Sequence, residues 1–264
     1  MTTVTDLWTR IHPSALVDAG ATIADSARIG PYAIVGPGVE IGERTIVGSH
    51  VLIERDTRVG DDCVIHHGAV LGTDPQDLKY DGEPSRLEVG SRTTVREYCT
   101  LNRGTGEGGT TLVGSDCLLM AYTHVAHDCR IGDHAILANS TNLGGHVVVG
   151  RHATIGGVTG IHQFVRIGDY AFIGACSKAT QDVPPFFLVD GHPCTAHGIN
   201  LVGLRRRGFS PEALRSLRRA YRTMYKSSRN LGDALDEIAG WPETGPEVEQ
   251  LVEFVRSSER GIVS

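Results

Sequence analysis

The stretch HVAHDCRIGDHAILANSTNLGGHVVVGRHATIGGVTGIHQFVRIGDYAFIG, residues 124–174, carries an aliphatic residue at every sixth position: Val125, Ile131, Leu137, Leu143, Val149, Ile155, Ile161, Ile167 and Ile173. Glycine follows several of them, at Gly132, Gly150 and Gly168. Upstream the same phase holds at Val113 and Leu119, at Val89, Val95 and Leu101, and without a break from Ile11 through Val17, Ile23 and Ile29 to Leu71. Neither a 3.6-residue helix nor an alternating strand has a period of six. A parallel β-helix does: each short strand sends one aliphatic side chain inward, and the chain then turns a corner. Three hexads make one triangular coil, so residues eighteen apart stack about 4.8 Å from each other.

Composition suits such coils. The 264 residues are 40% hydrophobic but only 6% aromatic, with 33 glycines, which favours narrow coils with tight corners over a bulky core. A net charge of −6 argues against general nucleic-acid binding. The cysteines, Cys63, Cys99, Cys117, Cys129, Cys176 and Cys194, form no CxxC pair and read as free buried thiols in a reducing cytosol. The opening MTTVTDLWTRIHP lacks a charged-then-apolar signal pattern, and no run approaches the roughly 18 apolar residues of a membrane span. The expectation is a soluble cytoplasmic protein with no membrane span.

The expected organisation is a β-helix over residues 1–190 and a C-terminal α-helical domain over 191–264. Two polar segments, 72–88 and 103–112, interrupt the hexads, and aliphatics resume in phase after each. They read as loops thrown out from the coil, and loops on a rigid scaffold often carry function. QDVPPF, residues 181–186, stops the repeat because consecutive prolines cannot continue a paired strand. After a short extended stretch, helix begins near Ser210, a natural N-cap followed by Pro211, with Leu214, Leu217, Tyr221 and Met224 as its apolar stripe. Residues 231–239 and 246–258 read as two further helices.

The eighteen-residue spacing also sorts the histidines. Residues 126–128 (Ala-His-Asp), 144–146 (Gly-Gly-His) and 162–164 (His-Gln-Phe) stack on consecutive coils, which gathers His127, Asp128, Gly145, His146, His162 and Gln163 into one patch. His134 and His152 fall on another face and read as a surface ladder. Such a patch suits acyl transfer. A histidine removes a proton from a hydroxyl near neutral pH, a carboxylate beside it fixes the tautomer, and glycine lets a backbone N–H approach an oxyanion. His127, Asp128 and Gly145 fit those roles. A zinc site built on His127, His146 and His162 is the competing reading, and a solvated ladder without chemistry is another. Leu204-Arg205-Arg206-Arg207-Gly208 suits contacts to a diphosphate or phosphopantetheine group. Arg215, Arg218, Arg219 and Arg222 extend this charge along the first long helix, as a dock for an acidic partner.

With these strings together the chain resembles the bacterial UDP-N-acetylglucosamine O-acyltransferases of lipid A synthesis. The resemblance rests on QDLKYDGEP at 76–84, GSDCLLM at 114–120, HVAHDC at 124–129, ILAN at 136–139, GGHV at 144–147, HQF at 162–164, TQDVPP at 180–185 and RRGFS at 206–210. It implies a left-handed parallel β-helix, a homotrimer with clefts between subunits, and transfer of an (R)-3-hydroxyacyl chain from acyl carrier protein to the sugar 3-hydroxyl, with no cofactor and no metal. By position, His127 matches the general base, Asp128 its partner and Gly145 the oxyanion donor. Asp77, Lys79, His124, His146, His162 and Gln163 match contacts to the nucleotide sugar or acyl-pantetheine, and Arg206 and Arg207 match phosphate-side positions. Ala175 matches the acyl-length ruler, where relatives with long chains carry glycine. Asn102 stands where relatives often carry histidine, which leaves a UDP-3-amino sugar, giving an amide, as an alternative acceptor. A zinc hydratase of the γ-carbonic anhydrase type, a coenzyme A-dependent acetyltransferase, the N-acyltransferase of the same pathway and a non-catalytic scaffold are the rival readings.

Overall fold

The computed structural model describes residues 10–242 and 244–264. Most of the MTTVTDLWTRIHP stretch lies outside the described residues, as does the start of the 1–190 unit. Most hexads form a two-residue strand whose second residue is buried, as in Ile136–Leu137. Strands eighteen residues apart pair in parallel, with Leu119 on Leu137 and Leu137 on Ile155. Ladder bonds such as Ala138 N–H to Ile155 O at 2.9 Å run along the axis. Among the described residues this gives sheets of nine, eight and ten strands, the faces of a triangular parallel β-helix.

The core holds a second inward column that the six-residue period does not announce. Two positions before most of the aliphatics lies a further buried residue, usually a small one: Ala135 before Leu137, Cys117 before Leu119, Thr141 before Leu143. Several buried threonines satisfy their hydroxyls on the neighbouring turn, as Thr45 Oγ1 does on Gly60 O at 2.7 Å and Thr93 Oγ1 on Gly114 O at 2.8 Å. Cys63, Cys99, Cys117, Cys129 and Cys194 are buried free thiols, and burial pushes Cys129 up to about 12. Cys176 departs from the expectation: it is exposed, because it sits on an outward corner.

Corners are turned by residues in the left-handed region, most of them not glycine. One edge runs Arg44, Asp62, Arg92, Asp116, His134, His152 and Tyr170, all with φ between 56° and 60°. Its members support one another through Arg44 Nε to Asp62 Oδ1 at 2.6 Å, Arg92 Nε to Asp116 Oδ1 at 2.7 Å, and stacked His134 and His152 rings 4.4 Å apart.

Both interruptions are loops, but narrower than expected. The first leaves after Val70–Thr73 and rejoins at Ser85–Val89, and the second leaves after Thr100–Asn102 and rejoins at Gly109–Val113. Ser85–Val89 lies in register on Gly109–Val113, so polar flanks that read as loop are paired strand.

The stretch before Ser210 is not merely extended. Phe187–Gly191 joins the sheet beside Phe172–Ile173 and turns back antiparallel through Cys194–Ile199, so the expected boundary at 190/191 falls inside a hairpin. A short helix α1 (Leu201–Arg206) follows, capped by Asn200. Helix α2 (Pro211–Lys226) starts where expected, with Ser210 Oγ accepting from Ala213 N–H at 3.1 Å, and buries Leu214, Leu217, Ala220 and Met224. Helices α3 (Leu231–Ala239) and α4 (Pro246–Arg256) pack on it. The final residues return to the β-helix: Val263 N–H donates to Asp182 O at 3.0 Å, and Ser258 Oγ donates to Asp182 Oδ2 at 2.8 Å. No helix among the described residues is long and apolar enough to cross a membrane.

Close stacking of the coils yields a stability prediction. A Cβ on Gly36 would stand 1.7 Å from the Glu54 carbonyl oxygen, a backbone atom that cannot swing away. Gly36→Ala is expected to lower stability by about 1–3 kcal/mol or more, read as the loss in thermal or denaturant unfolding.

Candidate active site

The strands His124–Val125, Asn142–Leu143, Gly160–Ile161 and Lys178–Ala179 lie in register on one face. Their first residues point outward, so His124, Asn142, Gly160 and Lys178 form a column. Gly160 contributes no side chain, and a Cβ there would meet nothing within 4 Å. The column is hollowed at that point into a cleft of about 810 Å³, lined among others by Gln76, His124, His127, Gly145, His162 and Lys178.

The corner beside the cleft carries Asp128, His146 and Phe164, with φ of 59°, 59° and 65°. Its coils are tied by His146 N–H to His127 O and Phe164 N–H to Gly145 O, each 3.0 Å. His127 Nδ1 lies 2.8 Å from Asp128 Oδ2, and its side chain keeps 13% of its surface. Asp128 also accepts from Thr105, through N–H at 3.1 Å and Oγ1 at 2.6 Å, and stands 3.6 Å from His146 Nε2. Burial raises the Asp128 pKa, but the donors on Thr105 and His127 outweigh it and hold the carboxyl below the usual carboxylate range. An ionised Asp128 accepts the Nδ1–H of His127, which leaves the Nε2 lone pair free.

Gly145 faces this ring. A Cβ on it would stand 2.5 Å from His127 Cε1 and 2.6 Å from Nε2, so only glycine brings backbone this close to an undisturbed imidazole. Among the described residues nothing accepts the Gly145 N–H. His124 Nδ1 is 2.7 Å from Thr100 Oγ1, and burial, aided by His127, pushes its pKa down. The His146 ring stacks on Phe164 at 4.6 Å. His162 Nδ1 contacts Gln163 O at 3.0 Å and Arg260 Nη2 at 3.3 Å.

Other expected residues are placed elsewhere. Asp77 and Lys79 sit on the first loop, with Lys79 N–H on Asp77 Oδ1 at 3.0 Å, and their neighbour Gln76 is the one lining the cleft. Arg206 ends α1 and Arg207 follows it, at the His134–His152 edge, where Arg207 and burial both disfavour protonation of His152. Ala175 is exposed next to Cys176, which lines the cleft. Asn102 is buried and gives its amide to Thr73 Oγ1 and Asp74 O, each at 2.8 Å. The three imidazoles of the competing zinc reading do not form one cluster of donor atoms among the described residues. The donor atoms within 4.8 Å of one another belong to His127, Asp128 and His146, while His162 Nδ1 is turned to Gln163 O and Arg260. Thr105, Gln76, Thr100, Lys178 and Arg260 went unnoticed in the sequence. Lys178 alone was in reach, three coils of eighteen beyond His124.

The hexads match a family model described as bacterial transferase hexapeptide (six repeats) at residues 9–42, 20–55, 38–73 and 110–145. Residues 182–263 match one described as Udp N-acetylglucosamine O-acyltransferase; Domain 2. The acyl-[acyl-carrier-protein]–UDP-N-acetylglucosamine O-acyltransferase of Burkholderia mallei is 48% identical over 259 residues, covering 96% of this chain and 99% of that one. The chain belongs to the UDP-N-acetylglucosamine O-acyltransferase family. The protein of the same name from Alkalilimnicola ehrlichii is 50% identical over 74% of this chain and 76% of its own. The solved structure of UDP-N-acetylglucosamine O-acyltransferase from Moraxella catarrhalis superposes with a TM-score of 0.94 at 43% identity, covering 97% of this chain and 100% of that one. The β-helix is left-handed, as the family resemblance implied, an exception to the right-handed crossover rule.

Partly buried histidines make stability depend on pH. The folded His124 pKa lies below its ordinary 6.5 because burial disfavours the imidazolium. Between that depressed value and 6.5 the unfolded chain binds more protons, so stability rises with pH across this window and levels off above it. His66 and His152, also pushed down chiefly by burial, add in the same direction. Urea unfolding at a series of pH values should show this rise, and His124→Gln should flatten it by up to about 1.4 kcal/mol per pH unit.

Proposed function

We propose that this enzyme moves an (R)-3-hydroxyacyl chain from acyl carrier protein to the 3-hydroxyl of UDP-N-acetylglucosamine, the first step of lipid A biosynthesis, in the cytoplasm. The observation that carries this is the His127–Asp128 pair with its ring packed against the Gly145 backbone, in a cleft of about 810 Å³. His127 Nε2 takes the proton of the sugar hydroxyl as its oxygen attacks the thioester carbonyl. The tetrahedral oxyanion accepts from Gly145 N–H, and Asp128 stabilises the imidazolium. Collapse breaks the C–S bond, and the imidazolium returns its proton to the departing pantetheine sulfur. The acid–base pair and the thioester supply the chemistry without a metal or a dissociable cofactor.

Asp77, Lys79, His124, His146, His162 and Gln163 are read as contacts to the nucleotide sugar or acyl-pantetheine, and Arg206 and Arg207 as phosphate-side groups. Arg218 and Arg222, with Arg205, form the basic surface for the acidic carrier protein; Arg215 is partly neutralised by Glu212 at 2.7 Å, and Arg219 lies over Trp241 at 3.8 Å. A homotrimer is supported by the lower half of the cleft face, where the outward column is apolar. Leu16 is 65% exposed and Ile34 44%, with Leu52 and Val70 stacked after them. A neighbouring subunit covering this face would bury the column and wall the cleft. Ala175 beside the cleft is read as the acyl-length ruler, its methyl shifting preference towards shorter chains by about 0.8 kcal/mol per methylene.

The test is acyl transfer by the purified enzyme, with 3-hydroxyacyl carrier proteins of several lengths and with UDP-N-acetylglucosamine or its 3-amino analogue. We expect ester product with one preferred length, lowered about 100-fold or more by His127→Ala. Gly145→Ala should lose about 100-fold while unfolding changes by less than about 1 kcal/mol, since the added methyl displaces only a side chain. Sedimentation should give three times the 28.3 kDa chain mass. Amide product alone would reassign the acceptor, and stoichiometric zinc without acyl transfer would replace this reading by the hydratase.

A further inference from the structure

Arg103 is 1% exposed, the largest fully buried side chain among the described residues, in an interior that is mostly apolar. A guanidinium withdrawn from water is costly unless it is paired and hydrogen-bonded, so the groups it engages show what it is kept for. All belong to the first loop, residues 74–84, or its root. Nη1 donates to Gly72 O, and Nη2 donates to the Asp74 carboxylate and, at 3.2 Å, to Tyr80 Oη. Tyr80 Oη passes the bond on to Glu83 O at 3.2 Å, across Asp81 and Gly82, and Tyr80 N–H donates to Asp77 O at 3.1 Å, closing the turn that holds Lys79. The residues flanking Arg103 extend the bracing. Asn102 Nδ2 fastens Thr73 and Asp74, Gly104 N–H donates to Arg86 O at 3.2 Å, and Gly106 N–H donates to Glu83 Oε1 at 3.0 Å. Thr105, in the same segment, holds Asp128. One short stretch of chain therefore grips both the first loop and the partner of the base.

We propose that Arg103 is a positioning residue for the nucleotide-sugar half of the reaction. It fixes the root and the turn of loop 74–84 so that Gln76 lines the cleft and Asp77 and Lys79 are presented at a set place relative to His127. This rests on the reading of those loop residues as contacts to the nucleotide sugar. Planar, two-pronged donation from Nη1 and Nη2 to the root of the loop and to Tyr80 within it is something a lysine at this position reproduces only in part.

The partners, being on the surface side, allow the idea to be tested without disturbing the core. In the full-length enzyme, Tyr80→Phe and Asp74→Ala should each raise KM for UDP-N-acetylglucosamine about 5- to 20-fold, with kcat and KM for the acyl carrier protein within about twofold. Trypsin should cleave the folded protein after Lys79 about fivefold faster or more in both variants, because the loop opens more often. Arg103→Met should show at least these effects and Arg103→Lys an intermediate one. Unchanged KM and unchanged cleavage in Tyr80→Phe and Asp74→Ala would overturn the proposal. So would equal losses in kcat and both KM values, the mark of a merely structural side chain. If the wild-type enzyme transfers no acyl group, the reaction itself has been misread, and the cleavage rates alone decide whether Arg103 braces the loop.

Discussion

In-register stacking of residues eighteen apart is the constraint on which the rest of this molecule depends. It places each aliphatic on its predecessor, and it forces the same backbone geometry on every coil. A non-glycine residue in the left-handed region costs roughly 1–2 kcal/mol in isolation, and the edges contain many of them. Many of them are braced by a stacked neighbour, through an ion pair as in Arg44 on Asp62 or ring on ring as in His134 on His152. The paired carboxylate of the site, Asp128, is itself one of these corner residues. Its orientation follows from the coil geometry, and the neighbouring corners His146 and Phe164 support it from one side.

The site then needs only what the scaffold does not provide. Stacking brings His127 and Gly145 together, but a carboxylate beside a histidine could rotate away or take up a proton. Thr105 prevents both, by donating twice to Asp128 from a loop that the hexads do not encode. The two loops are also tied to each other, so the groups read as binding the sugar nucleotide and the group read as orienting the base share one support. Rigid coils below and cross-braced loops above give a preorganised cleft, which is where electrostatic stabilisation is most effective.

Much of this was legible because a β-helix turns spatial neighbours into a fixed sequence offset. The aliphatic period, the stacked tripeptides around His127, Gly145 and His162, and the starts of the three longer helices could all be read directly. The second inward column was missed because alanine, cysteine and threonine do not share a hydrophobicity signal, only a size. Thr105 and Arg103 were missed because loop contacts follow no offset. The hairpin of Phe187–Gly191 and Cys194–Ile199 was read as an extended link, since its strands lack alternation and the proline pair just before it signals a break. His162 shares the face of His127 as its offset requires, yet its ring is turned by Gln163 and Arg260, and ring orientation is not carried by register.

The eighteen-residue coil also gives the molecule a rotational phase. Whole coils removed or added on the N-terminal side of the loops would shorten or lengthen the prism while leaving the cleft, its corner and the helical end facing as they do now. A single hexad gained or lost between the second loop and His124 would turn everything beyond it by one face. Thr105 would then hang over a corner without Asp128, and the loop carrying Gln76 would look onto the wrong sheet. Length along the axis is free to vary, whereas angle about it is fixed by the need for loops and histidines to meet.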